Sequence, residues 1–494
     1  MLIESFLASV KRDPGKLAVA DPTRRLTYKQ LRTLAKALRS LVLQSTRCDR
    51  VGVLMPASAG GLGCMLGVLW AGKTPIPFNF LLQSRELAQI IEDAQIDLLL
   101  TTEHFAEQVA ELPVKTLFLE QVNLKRRYLI AALPGTPAPP RVKPDDIAAI
   151  LYTSGTTGKP KGVCLTHENI ISNTTAAIEA LKLTPAVHLL GIIPPFHVFG
   201  LSVVNFLPLV LGASITFIPR FSPQAAYKAI AEGGISVLMA VPSMYAAIAR
   251  LKSVEPSAFK DITLAASGGE PLPKTVYDLF HEKTGVHLIE GYGLTETSPI
   301  ISIDLPWQHE AGTVGHVLPN VEAQLRDENG GVLSNDAEGE LFVRGPSVMK
   351  GYYNKPDETA AVIDADGWFR TGDIVRFTES GHLKITGRAK DLIITGGENV
   401  YPREVEAVLE QHPAVAEAAV VGQPDASRGE VVVAFITLKE NQTAEPNDLR
   451  AFCKGHLANF KVPRQIQIKP DLPRGPTGKI LKRELRKLLE KGEE

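Results

Sequence analysis

A layered α/β protein is predicted by three observations. Between residues 147 and 283, short β-rich runs alternate with amphipathic helical stretches, the pattern that builds parallel sheets covered by helices. Residues 321–386 are poor in helical periodicity and hold several strand candidates, which predicts a small β-subdomain appended to those sheets. Past Gly387 the texture changes to a mixed α+β unit of about a hundred residues, a normal size for a separate domain. At 494 residues the chain is also too long for one ordinary domain.

Taken in order, residues 147–152 read as an apolar strand and the stretch after Thr166 as a helix. Strands are expected over 189–193 and 215–218. Ser222-Pro223 then supplies an N-cap and a proline at the first helical position. A strand over 236–240, a helix over 242–250, a strand over 262–266 and a helix over 273–283 follow. The β-subdomain has strand candidates at 340–344, 374–377 and 382–385. Beyond it come strand 391–395, helix 402–411, strands 414–421 and 430–438, helix 447–457, and a basic amphipathic helix over 479–490. A boundary is expected near 387–390. Residues 133–140 are a short proline-rich connector, and no internal repeat is visible.

Composition narrows the function classes. Hydrophobic residues make up 45 % and charged residues 22 %, which supplies a globular core and argues against a disordered chain. With 53 basic and 54 acidic side chains the net charge is −1, so nothing electrostatic points to nucleic acid. The four cysteines are widely spaced and form no CxxC pair, which disfavours a zinc ribbon or a disulfide scaffold and fits a reducing, cytoplasmic compartment. The N-terminal residues MLIESFLASVKRDPGK lack a basic segment followed by a long apolar one, so no secretory leader is expected. Residues 51–72 and 189–219 are uncharged, but glycines, prolines and polar residues interrupt them. They read as buried strand–turn–helix and strand–loop–helix–strand segments rather than membrane spans.

The strongest local signal is the segment from Tyr152 to Gly162, YTSGTTGKPKG. Gly155, Gly158 and Gly162 let backbone approach an anion closely. Thr153, Ser154, Thr156 and Thr157 supply hydroxyl donors, and Lys159 and Lys161 supply charge. These are the ingredients of a polyphosphate cradle. The segment is not a Walker A loop, which has glycine five positions before its Gly-Lys pair and Ser or Thr after the lysine. Here those places hold Thr153 and Pro160.

With its companions downstream, this loop resembles that of the adenylate-forming superfamily of acyl-CoA synthetases, luciferases and adenylation domains. The resemblance implies that the loop holds the β- and γ-phosphates of ATP. Gly268-Gly269-Glu270-Pro271, by itself a plain strand-to-helix turn, resembles the segment that lies against adenine. The motif Gly291-Tyr292-Gly293-Leu294-Thr295-Glu296 resembles the second nucleotide motif. Tyr292 is then placed to stack on adenine and Thr295 to touch the α-phosphate. Glu296 is a hard oxygen ligand suited to Mg²⁺, with Thr153 as the second residue assigned to the metal. Asp373, in Trp368-Phe-Arg-Thr-Gly-Asp373, resembles the acceptor of the ribose hydroxyls. Residues 387–391 resemble the family hinge, in which Arg388 holds ribose or phosphate and Lys390 sits where the torsions change. Lys479, in Pro473-Arg-Gly-Pro-Thr-Gly-Lys479, resembles the catalytic lysine of the final motif. A flexible point charge of this kind reaches a phosphate and a carboxylate together.

The implied architecture is a large N-terminal adenylation domain of layered sheets plus β-subdomain over 1–386, a hinge over 387–391, and a small mobile α+β domain over 392–494. The implied chemistry has two steps. A carboxylate attacks the α-phosphorus of ATP and releases pyrophosphate, and CoA then attacks the acyl-adenylate. The C-terminal domain swings between the steps, bringing Ile394-Thr-Gly-Gly-Glu-Asn399 to the site, where Gly396 and Gly397 leave room for the pantetheine arm. His197, in Pro194-Pro-Phe-His197, is expected to gate and shape the carboxylate site rather than act as a base.

The acid is less legible. The expected lining is Val198, Phe199, Val203, Val204, Met239, Ala240, Ser267 and Ile300, which is apolar. No Arg or Lys there meets a second carboxylate, and no Asp meets an amino group, so malonate-like and amino acids are disfavoured. The motifs around Glu296 and His197 look most like those of bacterial-type fatty acyl-CoA synthetases, so the leading expectation is a medium- or long-chain fatty acid–CoA ligase. An aryl-CoA ligase of the coumarate or benzoate type is the alternative. An adenylating ligase that loads an acyl carrier protein also stays open, as does peripheral contact with a membrane. A degenerate binding protein is disfavoured by the intact Glu296, Asp373, Arg388 and Lys479, and nothing favours luciferase activity.

Overall fold

The computed structural model describes residues 1–133, 138–154, 160–395, 398–425, 428–475 and 480–491. It divides into two compact units, Met1–Ala323 with Val343–Phe369, and Gln324–Phe342 with Arg370–Glu494. The β-rich region is thereby split, most of its strand residues falling in the second unit.

The first unit is built on a nine-stranded sheet. From one edge its strands are His316–Val317, Ile300–Ile303, Ile289–Gly293, Leu264–Ser267, Val237–Ala240, His188–Gly191, Ser214–Phe217, Leu17–Ala20 and Arg25–Thr27. The six strands from Ile289–Gly293 to Leu17–Ala20 run parallel. Of these, Val237–Ala240 and Leu264–Ser267 are buried throughout, as expected where helices cover both faces of a parallel sheet. The predicted cap is present: Ser222 Oγ accepts from Ala225 N at 3.2 Å, and Pro223 opens the helix Pro223–Gly233.

The first 144 residues, which carry no recognisable motif, hold a second sheet. Its four parallel strands are Thr74–Pro77, Arg50–Val53, Leu98–Thr101 and Lys115–Phe118. The core on this sheet, with Leu54, Phe78, Ile90 and Leu99, extends to Ile150 and Cys164. Those two residues belong to the hairpin Ile147–Ser154 and Pro160–Thr166, so the sheet anchors the strands that carry the glycine-rich segment. The uncharged stretches resolve as expected. Residues 51–72 give a strand and the buried helix Ala59–Trp70. Residues 189–219 give a strand, a π-helix over Phe199–Phe206, the short helix Leu207–Leu211 and a strand. Among the described residues no helix is long and apolar enough to cross a membrane.

In one respect the hairpin differs from expectation. The glycine-rich segment leads into a second strand, Pro160–Thr166, before the helix His167–Ala180 begins. Val163, Cys164 and Leu165 are an apolar run that pairs antiparallel with Leu151, Ile150 and Ala149 respectively. The helix starts where Thr166 and Asn169 cap each other reciprocally.

The second unit contains a sheet centred on Gly429–Leu438. That strand pairs antiparallel with Val415–Asp425 and parallel with Gln465–Ile468, and the hairpin Ile393–Thr395 and Glu398–Val400 extends the sheet. The basic helix Lys482–Lys491 turns Leu485 onto Ala419, Val421, Val433 and Phe435, with Leu488 and Leu489 packed beside it. It begins later than expected, at Lys482.

Candidate active site

The glycine-rich segment joins the two strands of the antiparallel hairpin. Thr153 pairs with Lys161 and Ser154 with Pro160. Gly155, Thr156, Thr157, Gly158 and Lys159 lie outside the described residues. Tyr152, at the base, donates from its hydroxyl to Asp93 Oδ2 at 2.6 Å. Lys161 forms an ion pair with Glu358 and lies 5.2 Å from the centre of the Tyr352 ring.

Tyr352 belongs to Gly351–Tyr352, which adds a third strand beside Pro160–Thr166. Its hydroxyl donates to Glu296 Oε1 at 2.9 Å. Burial, and next the Glu296 carboxylate, raise the phenol pKa, so the donor proton stays in place at neutral pH. Glu296 sits in the single turn Thr295–Thr297, beside Thr295. Thr297 Oγ1 donates to Pro299 O at 2.6 Å, and Met349 N donates to Glu296 O at 2.8 Å. Asn173, fully buried in the helix His167–Ala180, donates to Ile300 O at 2.7 Å and accepts from Ile300 N at 3.1 Å. The carboxylate is therefore held by a preorganised frame.

The two motifs expected to face adenine stand at the carboxyl ends of neighbouring parallel strands, where open α/β sheets place their ligands. Gly268 follows Leu264–Ser267 and donates from its N–H to Ala240 O at 3.2 Å. Gly269 comes next at φ +85° and Glu270 after it. Gly291, Tyr292 and Gly293 close the adjacent strand, and Glu290 Oε2 accepts from Leu272 N at 3.2 Å, tying the two motifs together. A Cβ on Gly293 would lie 1.8 Å from Pro299 O, so this approach of two backbones requires glycine.

His197 follows the end of strand His188–Gly191 and precedes the π-helix. Its Nδ1 accepts from Phe199 N at 3.2 Å, which leaves the neutral ring's proton on Nε2. A Cβ on Gly200 would lie 2.0 Å from Pro194 O, so glycine is what lets the chain fold back against the His197 turn. Val198, Val203, Val204, Met239, Ala240, Ser267 and Ile300 are all buried, and Phe199 is half-buried.

In the second unit Asp373 is buried and faces Arg388 across adjacent antiparallel strands. Arg388 Nε lies 2.8 Å from Asp373 Oδ1. Thr371 Oγ1 accepts from Asp373 N at 3.1 Å and donates to Leu341 O at 2.8 Å. Lys390 is exposed in the turn Ala389–Asp391, directly after that strand. Thr395 and Glu398 pair at the end of the next hairpin, and Ile394 there is 50 % exposed. Gly396, Gly397 and Lys479 lie outside the described residues.

The profile of AMP-binding enzymes matches residues 6–353, and that of the AMP-binding enzyme C-terminal domain matches residues 404–479. The chain belongs to the AMP-binding enzyme family. It is 36 % identical to the long-chain-fatty-acid–CoA ligase of Bacillus subtilis (strain 168), over 98 % of this chain and 94 % of that one. It is 34 % identical to the indoleacetate–CoA ligase of Aromatoleum aromaticum, over 97 % of this chain and 96 % of that one. The crystal structure of ATP-bound MatB from Rhodopseudomonas palustris superposes with a TM-score of 0.91 at 31 % identity, covering 100 % of both chains. This AMP-binding enzyme is an AMP-forming acid–CoA ligase.

Among the described residues of this AMP-binding enzyme no group of three or more His, Cys, Asp or Glu side chains could hold a metal by itself. Glu296 offers a single carboxylate, already oriented by Tyr352. That donor set fits Mg²⁺, which takes most of its ligands from water and substrate phosphates. Sequence reasoning missed Tyr352 and Asn173. Neither stands in a motif, and each acts through a residue remote along the chain.

Proposed function

We propose that this enzyme activates a medium- or long-chain fatty acid. A carboxylate oxygen of the acid attacks the α-phosphorus of ATP, the bond to pyrophosphate breaks, and an acyl-adenylate forms. The CoA thiolate then attacks the acyl carbonyl, and AMP leaves with the electron pair of the broken C–O bond. The observation that carries the acid class is the apolar, buried set around the His197 turn, which contains no Lys, Arg, Asp or Glu. Each methylene placed among such side chains contributes roughly 0.8 kcal/mol, whereas a second carboxylate would be desolvated without a partner.

The site residues take the following roles. The segment from Thr153 to Lys161 receives the β- and γ-phosphates, with Lys161 drawn from Glu358 as the phosphates arrive. Gly268, Gly269, Glu270, Gly291, Tyr292 and Gly293 surround adenine, and Thr295 meets the α-phosphate. Asp373 and Arg388 take the ribose, and Lys479 supplies the cation that stabilises charge on the transferring phosphate. Mg²⁺, held by Glu296 with Thr153, would neutralise charge on the phosphate oxygens. His197 shapes the entrance to the carboxylate site, and Gly396 and Gly397 leave room for pantetheine.

An aryl-acid ligase is the second reading. It is favoured by Ser202 and Ser267, whose buried hydroxyls have no hydrogen-bond partner among the described residues. A polar ring substituent would satisfy such groups. The test is product analysis with ATP, Mg²⁺ and CoA across acids from acetate to oleate, with benzoate, coumarate and malonate included. Acyl-CoA and AMP forming best from fatty acids is the expected result. A peak on an aryl acid supports the second reading and overturns the first.

A further inference from the structure

We propose that the helix Leu124–Ala132 docks the enzyme onto an anionic lipid bilayer surface. The helix divides its apolar residues between an inner and an outer face. Its inner, half-buried face carries Leu124, Arg127, Tyr128 and Ala131, and none of its residues is fully buried. Arg127 on that face donates to Gln44 Oε1 at 2.8 Å, against the helix Tyr28–Ser45. The larger aliphatic side chains point outward: Leu129 and Leu133 are each 61 % exposed and Ile130 is 57 % exposed.

Arg126, Leu129, Ile130 and Leu133 are spaced i, i+3, i+4 and i+7, so they share one helical face. Leu43 on the neighbouring helix is also exposed. Exposed Lys125 and Arg126 flank the apolar residues, and the helix contains no carboxylate. The charge and the apolar surface therefore point to one partner. A convex face of aliphatic tips with cations at its edge matches the headgroup–acyl boundary of an anionic bilayer, where both kinds of group gain.

The full-length enzyme is mixed with vesicles of phosphatidylcholine, or of equimolar phosphatidylcholine and phosphatidylglycerol, and separated by flotation. The expected result is binding to the anionic vesicles, weaker binding without phosphatidylglycerol, and weakening by salt. Replacing Leu129, Ile130 and Leu133 together by Ser reduces the partition coefficient roughly tenfold or more. Lys125→Glu with Arg126→Glu removes the preference for anionic lipid. Both variants keep wild-type unfolding midpoints and wild-type acyl-CoA formation from a water-soluble short-chain acid, so neither loss reflects misfolding. Wild-type enzyme that stays in the soluble fraction, or a triple-serine variant that floats as the wild type does, overturns the proposal. So does a triple-serine variant that abolishes a dimer in sedimentation velocity without changing flotation, which would assign the face to a second copy of the chain.

Discussion

Tyr352 donates a 2.9 Å hydrogen bond to Oε1 of Glu296, joining the strand beside the glycine-rich hairpin to the proposed metal-binding turn. Lys161 lies against the same ring and pairs with Glu358, and Asn173 braces the turn from behind. Tyr352, Met349 and Asn173 thus hold the Glu296 turn from separate elements of the fold.

Tyr352→Phe removes the donor and keeps the ring. A hydrogen bond to a charged group is worth about 1.5–3 kcal/mol, so kcat/KM for ATP should fall roughly ten- to hundredfold. The Mg²⁺ concentration for half-maximal rate should rise with it. Magnesium titration of pyrophosphate release checks this, and an unchanged titration would separate the tyrosine from the metal site.

Lys479→Ala should separate the two half-reactions. Acyl-adenylate formation should slow by roughly 10²–10³-fold, the usual cost of losing one transition-state donor. Transfer to CoA from supplied acyl-adenylate should be nearly unchanged, because the proposed swing about residues 387–391 withdraws this lysine before the second step. Equal losses in both assays would count against domain alternation.

Gly200→Ala places a Cβ 2.0 Å from Pro194 O and 2.8 Å from Ile193 O. The backbone has to move, at a cost of about 1–3 kcal/mol, and the His197 turn moves with it. KM for the acid should rise while KM for ATP holds. Steady-state kinetics with each substrate varied in turn distinguishes this from general loss of structure.

His167 gives a pH dependence. Burial, and next the N-terminal ammonium, lower its pKa to about 4, with partial offset from Asp146 and Glu4. The folded state favours the neutral ring. Its contribution to stability is therefore present above the unfolded pKa of about 6.5 and is lost as pH falls toward 4, amounting to roughly 3 kcal/mol. His167→Gln should flatten the fall in denaturant midpoint between those pH values. A slope identical to wild type would place the acid sensitivity elsewhere.

The strands Val237–Ala240 and Leu264–Ser267 and the Ser222 cap were legible because each rests on local sequence, an apolar run or a cap-proline pair. Membership of the AMP-binding enzyme family was legible because the order of its motifs along the chain is distinctive. The strand Pro160–Thr166 was hidden, since Pro160, Lys161 and Gly162 mask its apolar half. The π-helix was hidden for another reason: Phe199–Phe206 is nearly apolar all round, so no stripe reveals its pitch. Tyr352 lies 56 residues from Glu296, and Asn173 lies 127 from Ile300. Contacts made only by folding leave no local pattern.

The apolar character of the acid site is tested most directly by kcat/KM for acyl-CoA formation along the straight-chain acids from butyrate upward, beside benzoate and coumarate. Burial of each added methylene predicts a rise of roughly fourfold per carbon, continuing to a plateau at medium or long chain length and exceeding both aryl acids. A series that is flat from butyrate onward, or one surpassed by an aryl acid, would contradict the fatty-acid assignment while leaving the adenylate chemistry intact.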